Sequence, residues 1–286
     1  MNHVVVTVIR DEEEFIPGLI ASVTTQTRLP KKWVFVDNFS EDGTRDKIRE
    51  AISEYDWIEL IEKKGSQKRS RGENIARLFK TGVERCTEDW KFCSKIDADM
   101  LLPVDYFEEI FQRFSDDEDL GIASGTCYLK IGGKKKIEKV AADHTRGGLK
   151  TYRAECFTSI GGIPPVDGWD GIDNAKAQMK GWKTRNFPTP IVLHRRETGG
   201  YRGRLASSFE IGSRCHFMGY SVTFMILKVS HYTLVIRRPF SAISMFLGYS
   251  WNMILGKKRY NETEVIRFIR KSKFERIRST ILDSLN

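Results

Sequence analysis

The chain has no glycine-rich loop where a phosphate-binding fold often has one. Its first apolar run, Val4 to Ile9, leads straight into Arg10-Asp11-Glu12-Glu13-Glu14, and no Gly-x-Gly-x-x-Gly follows any strand-like segment. That excludes a dinucleotide oxidoreductase and counts against a sugar-phosphate nucleotidyltransferase, the nearest alternative enzyme. Cysteine is sparse. Cys86, Cys93, Cys127, Cys156 and Cys215 are scattered, odd in number and without a Cys-x-x-Cys pair. This argues against a disulfide framework and a zinc site, and leaves small buried hydrophobes in a reducing compartment as the expectation. Long apolar runs are lacking too. A spanning helix needs about 20 apolar residues, whereas Phe217 to Ile236 is broken by Lys228 and His231, and Phe240 to Leu255 covers 16 residues. Met1-Asn2-His3-Val4 lacks the basic start and cleavage site of a signal peptide. There are no internal repeats and no low-complexity linkers.

What is present is an ordinary globular composition: 286 residues, 40% hydrophobic and 30% charged, enough for one large α/β domain and an appendage. Val4–Ile9, Trp33–Asp37, Trp57–Ile61 and Trp90–Ile96 read as strands. Between them, Asp11 onward through Val23, Thr44 onward through Ile52, and Glu73 to Arg85 carry apolar residues at helical spacing. Alternation of this kind predicts a parallel sheet wrapped by helices, with ligands at the carboxyl ends of the strands. Those ends carry Arg10-Asp11, Asp37-Asn38 and Asp97-Ala98-Asp99. Continued strand alternation would place Asp97 and Asp99 on one face, and paired carboxylates suit a hard divalent cation shared with phosphates.

Further along, Asp105 to Phe114 predicts a helix, and Gly121–Lys130 with Lys134–Ala142 a hairpin turning at Gly132-Gly133. Arg153 to Ile160 predicts a short helix ended by Gly161-Gly162, and Gly168 to Lys180 a second one opened by Trp169-Asp170. Asp170 also suits the N-cap of that helix. Lys183 to Leu193 contains Pro188 and Pro190, so at best an edge strand is expected.

In this order, the motifs resemble those of the family 2 glycosyltransferases over about residues 3–200. Arg10-Asp11-Glu12 stands at the family's strand-end Arg-Asn-Glu stretch, and Val36-Asp37-Asn38-Phe39-Ser40-Glu41-Asp42-Gly43-Thr44 resembles Val-Asp-Asp-Gly-Ser-x-Asp-Gly-Thr. Asp97-Ala98-Asp99 is its Asp-x-Asp, and Gly161-Gly162 with Gly168-Trp169-Asp170 resembles its acceptor-side Gly-Gly…Trp-Glu-Asp region. The resemblance implies a GT-A nucleotide-binding domain with a mostly parallel central sheet, here residues 1–205, and the change of composition past Leu205 predicts an α-helical extension, 206–286. The resemblance also implies metal-dependent, inverting transfer of a sugar from a UDP- or GDP-sugar to an acceptor hydroxyl, on a glycan or a lipid-linked molecule. Carried over by position, Arg10, Asp11, Asp37, Asn38, Arg71 and Asp97 would line the nucleotide pocket. Asp99, with His194 as a further contact, would hold Mn²⁺ or Mg²⁺. Asp170 would be the general base, with Asp173 one helical turn on as its rival. Arg195, Arg196, Arg202 and Arg204 form a loop that could close on the phosphates. Asn38 and Phe39 depart from the family's Asp and Gly, Val8-Ile9 from its Pro-Thr, and Gly171 from the second acid of its Glu-Asp.

Charge separates the two ends of the chain. From Arg237 onward 11 Lys and Arg face 4 Asp and Glu, a surplus of +7 within a total of +9. With the flanking apolar runs, this predicts surface helices meeting anionic lipid through 217–278, and a cytoplasmic protein peripheral on the inner face of the cell membrane. The competing non-catalytic reading is a membrane- or polyanion-binding module. Nucleic acid is not an expected partner, because the strand-end acids would repel a phosphate backbone.

Overall fold

His3–Ile9 forms the first strand, β1, and only Val8 in it is not fully buried. A near-continuous apolar run is what a parallel strand covered on both faces requires. β1 pairs in parallel with β2 (Lys32–Asp37) on one side and β4 (Phe92–Ile96) on the other, and β3 (Ile58–Glu62) extends the sheet beyond β2. The computed structural model describes residues 2–63, 72–87, 89–196 and 203–283. Contacts divide the chain into two compact units, Met1–Arg196 and Glu197–Asn286.

Past β4 the sheet becomes mixed. β8 (Leu149–Arg153) runs antiparallel between β4 and β6 (Leu120–Ile131). Next come β9 (Lys183–His194), parallel to β6, and β5 (Met100–Leu101), antiparallel to β9. The order is β3-β2-β1-β4-β8-β6-β9-β5, with β7 (Lys134–Glu138) hairpinned onto β6. The hairpin turns at Gly132 and Gly133, both at positive φ, as the Gly-Gly pair predicts.

Side-chain alternation splits the core in two. Val5, Ile9, Trp33 and Phe35 face α1 (Ile16–Thr24), α2 (Thr44–Glu54) and α4 (Tyr106–Asp116), meeting Leu19, Ile48 and Phe107. Val4, Val6, Val34 and Val36 face α3 (Glu73–Arg85), α5 (Ala154–Ser159) and α6 (Trp169–Met179), meeting Phe79, Cys156 and Ala177. Gly82 lets α3 lie close to the sheet, since a Cβ there would sit 2.4 Å from a Val6 methyl. All five cysteines are free and buried.

Three expectations change. The acids Asp11–Glu14 precede α1 instead of forming its first turn, because they bond the neighbouring loop: Asp11 Oδ1 accepts from the Glu41 amide and Glu13 Oε2 from the Gly43 amide. β8 has no counterpart in the apolar pattern, because two of its buried positions are Lys150 and Tyr152. β9 is a full 12-residue strand, and its register against β6 jumps between Asn186 and Ile191, which accommodates Pro188 and Pro190 off the ladder.

The second unit is helical: α7 (Arg204–Phe217), α8 (Val222–Leu234), α9 (Pro239–Ile254) and α10 (Thr263–Asp283). Cys215, Met225, Met245 and Tyr249 form its small core. No helix among the described residues is long and apolar enough to cross a membrane.

Candidate active site

At the carboxyl ends of β1 and β2 two loops are locked together. Asp11, at φ 53°, donates its amide to Ser40 Oγ at 3.0 Å, and the Glu12 amide reaches Thr44 Oγ1 at 2.8 Å. Asp37 is fully buried and accepts from the Ser40 amide and from Arg45 Nε at 2.8 Å. Asn38 accepts from Asn74 Nδ2 at 3.1 Å. Phe39 holds φ 61°, a left-handed conformation that glycine adopts more readily, which explains why the family pattern has Gly there. Arg10 lies beside Asp11, 3.5 Å between Nε and Oδ2. Arg10, Asp11, Asp37 and Asn38 thus lie together at the ends of β1 and β2. Arg71 and Arg202 lie outside the described residues.

The two acids after β4 part company. The strand ends at Ile96 and the chain turns, with the Met100 amide bonded to the Asp97 carbonyl at 3.2 Å, so the alternation that would align Asp97 with Asp99 does not continue. Asp97 keeps a side chain 42% exposed and accepts from Lys95 Nζ, a nearly buried ammonium. Asp99 is 9% exposed. Pairing of Met100 with His194 brings Asp99 Oδ2 to 3.6 Å from His194 Nε2. The other imidazole nitrogen contacts Glu138 Oε2 at 2.8 Å, and Arg146 braces Glu138 at 3.2 Å. Arg196 Nε donates to Asp99 Oδ2 at 3.1 Å and its Nη2 to Glu12 Oε1 at 2.8 Å. Burial acts to raise the Asp99 carboxyl, but His194 and Arg196 outweigh it and hold the pKa below the ordinary value. Burial likewise acts to lower the His194 imidazole, and its bonds to Asp99 and Glu138 lift it to about 9.

Asp170 is the second residue of α6. Gly168, at φ 75°, occupies the N-cap, so the Asp170 carboxylate is not used as a cap. Its backbone carbonyl accepts from Lys150 Nζ at 2.8 Å and Asn174 Nδ2 at 2.9 Å. Asp173 has a different environment. It is fully buried, with Lys150 Nζ 2.6 and 2.7 Å from its two oxygens and Tyr152 Oη donating at 2.6 Å. Burial pushes the Asp173 carboxyl up and the Lys150 ammonium down, and their pairing opposes both shifts. Asp97 and Asp170 are brought together over Gly147-Gly148. A Cβ on Gly148 would fall 2.4 Å from Asp97 Oδ2, and one on Gly147 would fall 3.2 Å from Asp170 Oδ2. The Trp169 ring lies 5.4 Å from Lys95 Nζ and 5.3 Å from Lys150 Nζ.

Comparison with known proteins shows the family. The sequence model of glycosyl transferase family 2 matches residues 4–164, more than half of the chain. The chain belongs to glycosyl transferase family 2. Among solved structures it is similar to the mannosyltransferase PcManGT from Pyrobaculum calidifontis, in complex with GDP-Man and Mn²⁺. That match has 17% identity and a TM-score of 0.57, covering 88% of this chain and 72% of that one. It is also similar to GalNAc-T7 with UDP, GalNAc and Mn²⁺, at 15% identity and a TM-score of 0.60, covering 91% and 55%. S. aureus TarS 1-349 in complex with UDP-GlcNAc follows at 12% identity and a TM-score of 0.56, covering 91% and 74%. At these identities the likeness concerns the GT-A fold. Comparison with curated protein sequences gives no match.

Around these candidate residues the fold of the glycosyltransferase also gathers others that motif reading passes over. Glu138 closes a lysine-rich hairpin strand and orients His194; only the fold brings them together across 56 positions. Lys95 and Lys150 are directly opposite on β4 and β8. Lys95, a lone lysine inside an apolar strand run, carried a sequence signal, and Lys150 carried none. Gly147-Gly148, ahead of a strand with no apolar run, carried none.

Proposed function

We propose that this glycosyltransferase moves a sugar from a UDP- or GDP-sugar to an acceptor hydroxyl, with inversion at the anomeric carbon. The observation that carries this reading is the placement of Asp97 and Asp170 over one glycine pair, with the Asp99–His194 pair at the strand end beyond Asp97. Donor-side and acceptor-side acids are separate groups in separate environments. Asp37, Asn38, Arg10 and Asp11 border the pocket for the base, and Asp97 faces the ribose. Asp170 takes the proton of the attacking hydroxyl, a role that needs a carboxylate within hydrogen-bond reach. A single base opposite the leaving group inverts the configuration. Asp173 holds the first turn of α6 through Lys150 and is not the base in this reading.

The donor set fits a small divalent cation in part. Asp99 and His194 offer one oxygen and one nitrogen 3.6 Å apart, with the imidazole oriented by Glu138. Among the described residues no group of three or more His, Cys, Asp or Glu forms a closed metal site. Two protein ligands leave positions for phosphate oxygens, the usual arrangement for Mg²⁺ and related ions. Mn²⁺ or Mg²⁺ bound there would supply Lewis-acid neutralisation of the leaving diphosphate. Arg196, which rests on Asp99 and Glu12, provides a second positive group at that place.

Release of nucleoside diphosphate from UDP- and GDP-sugars with Mn²⁺ tests the reading. Asp99→Ala is expected to lose both release and Mn²⁺ binding in the presence of UDP or GDP, by about tenfold or more. Unchanged Mn²⁺ binding would remove the metal from Asp99. Gly148→Ala is expected to push the Asp97 carboxylate aside and weaken UDP or GDP binding by about tenfold or more, the loss of one charged hydrogen bond. Equal affinity in that variant would show that Asp97 does not touch the nucleotide.

The acceptor in this reading is lipid-linked or part of a cell-envelope glycan. The chain would then work from the cytoplasm, peripheral on the inner face of the cell membrane through 217–278. The basic surplus beyond Arg237 supports this.

A further inference from the structure

Helix α9 carries large apolar side chains on its exposed face as well as on its buried one. Its inward face is Ser241, Ala242, Met245, Gly248, Tyr249 and Asn252, all buried. Its outward stripe is Phe240, Ile243, Leu247, Trp251 and Ile254, spaced i, i+3, i+7, i+11 and i+14 and so lying on one face. These are 75%, 55%, 55%, 54% and 75% exposed. A water-facing helix puts its large apolar residues inward and its polar ones outward. Here the inward face packs Met245 and Tyr249 into the small core and places glycines where it meets α7. A Cβ on Gly212 of α7 would lie 1.8 Å from the Met245 carbonyl oxygen, and one on Gly248 would lie 2.1 Å from the Phe209 carbonyl oxygen. Close backbone approach at glycines is how helices pack when lipid, not water, surrounds them.

The apolar surface continues along α8. Val222, Ile226 and Leu234 are exposed there, followed by Val235 and Ile236 before α9 begins. Cations mark both ends of α9: Arg237 and Arg238 precede it, and Lys257, Lys258 and Arg259, all exposed, follow it. Sixteen residues span about 24 Å, short of the roughly 30 Å of a hydrocarbon core. A helix entering end-first would drag one cationic cluster into hydrocarbon. A helix lying flat leaves both clusters among headgroups.

We infer that α9 lies in the plane of an anionic lipid bilayer, with Phe240, Ile243, Leu247, Trp251 and Ile254 immersed and both basic clusters on the headgroups. This deepens the membrane-surface reading above and rests on it. The occupant is a bilayer rather than a second copy of the chain because the apolar stripe is bracketed by charge of one sign. Two copies meeting through it would bring like charges together.

The test uses the full chain and vesicles of phosphatidylcholine with or without phosphatidylglycerol. Co-sedimentation is expected with the anionic vesicles, and at least about tenfold weaker with the neutral ones. Brominated lipid is expected to quench tryptophan fluorescence, and Trp251→Phe to remove most of that quenching. Phe240→Glu and Ile254→Glu, at opposite ends of α9, are each expected to weaken vesicle binding by a comparable factor of about ten or more, since both ends sit at one depth. Circular dichroism checks that each variant folds. If the chain binds vesicles but Trp251→Phe leaves quenching intact, or one end matters and the other does not, the flat α9 is overturned while the membrane reading stands. If the chain stays in the supernatant, or sediments as a dimer that ignores vesicles, both fall. Sugar transfer by the first unit is untouched by any of these outcomes.

Discussion

Asp170→Asn is expected to slow nucleoside diphosphate release from a UDP- or GDP-sugar by about 10²–10⁴, while UDP or GDP binding with Mn²⁺ stays as it was. In the absence of an added acceptor, water is the nucleophile and needs the same base. Asparagine keeps the shape and cannot take a proton. Stability should hold, because Asp170 serves the fold through its backbone carbonyl, which accepts from Lys150 and Asn174, and that carbonyl survives the substitution. The separation of binding from turnover is the diagnostic feature. A variant that turns over within about threefold of the parent would place the base elsewhere, since loss of a general base removes far more.

Asp173→Ala is expected to act on stability first. Its carboxylate is fully buried and bonds Lys150 at 2.6 and 2.7 Å and Tyr152 at 2.6 Å. Burial lifts the Tyr152 phenol well above its ordinary range, so its hydroxyl remains a donor to Asp173. Removing one partner of a buried ion pair strands the other charge, a loss of about 3–5 kcal/mol. For a unit of this size that corresponds to a fall in Tm of roughly 6–20 °C by calorimetry. Lys150→Met combined with Asp173→Leu should recover part of it, because an apolar pair leaves no stranded charge. The two aspartates then differ in kind: one variant folds and does not turn over, the other is thermally weak. A normal Tm with lost turnover in Asp173→Ala would reverse the assignment and make Asp173 the base.

The parallel half of the fold was legible because its physics is local. Val4–Ile9 and Trp33–Asp37 are apolar runs that only a doubly covered strand would bury, and Glu73–Arg85 shows its apolar face at helical spacing with matching ends. The mixed half was legible only in part. Gly132-Gly133 marks its hairpin openly. β8 is hidden, since Lys150 reads as a surface residue until Asp173 is found 23 positions away to neutralise it. Similarly, Pro188 and Pro190 read as strand breakers until the register jump against β6 takes them off the ladder.

Sequence alone therefore determined the family, the order of strands and helices up to β4, the acids at the strand ends and the basic tail. Each of these follows from residues near one another in the chain. Tertiary structure alone decided that Asp97 and Asp99 point to different partners, and that Glu138 stands behind His194. It also decided that Asp173 is spent on Lys150 while Asp170 is left free of capping, and that α9 turns a stripe of large apolar side chains outward. Those outcomes depend on which distant groups meet. A carboxylate's role is set by the charge and burial around it, and a helix's outer face by what the inner one can pack against.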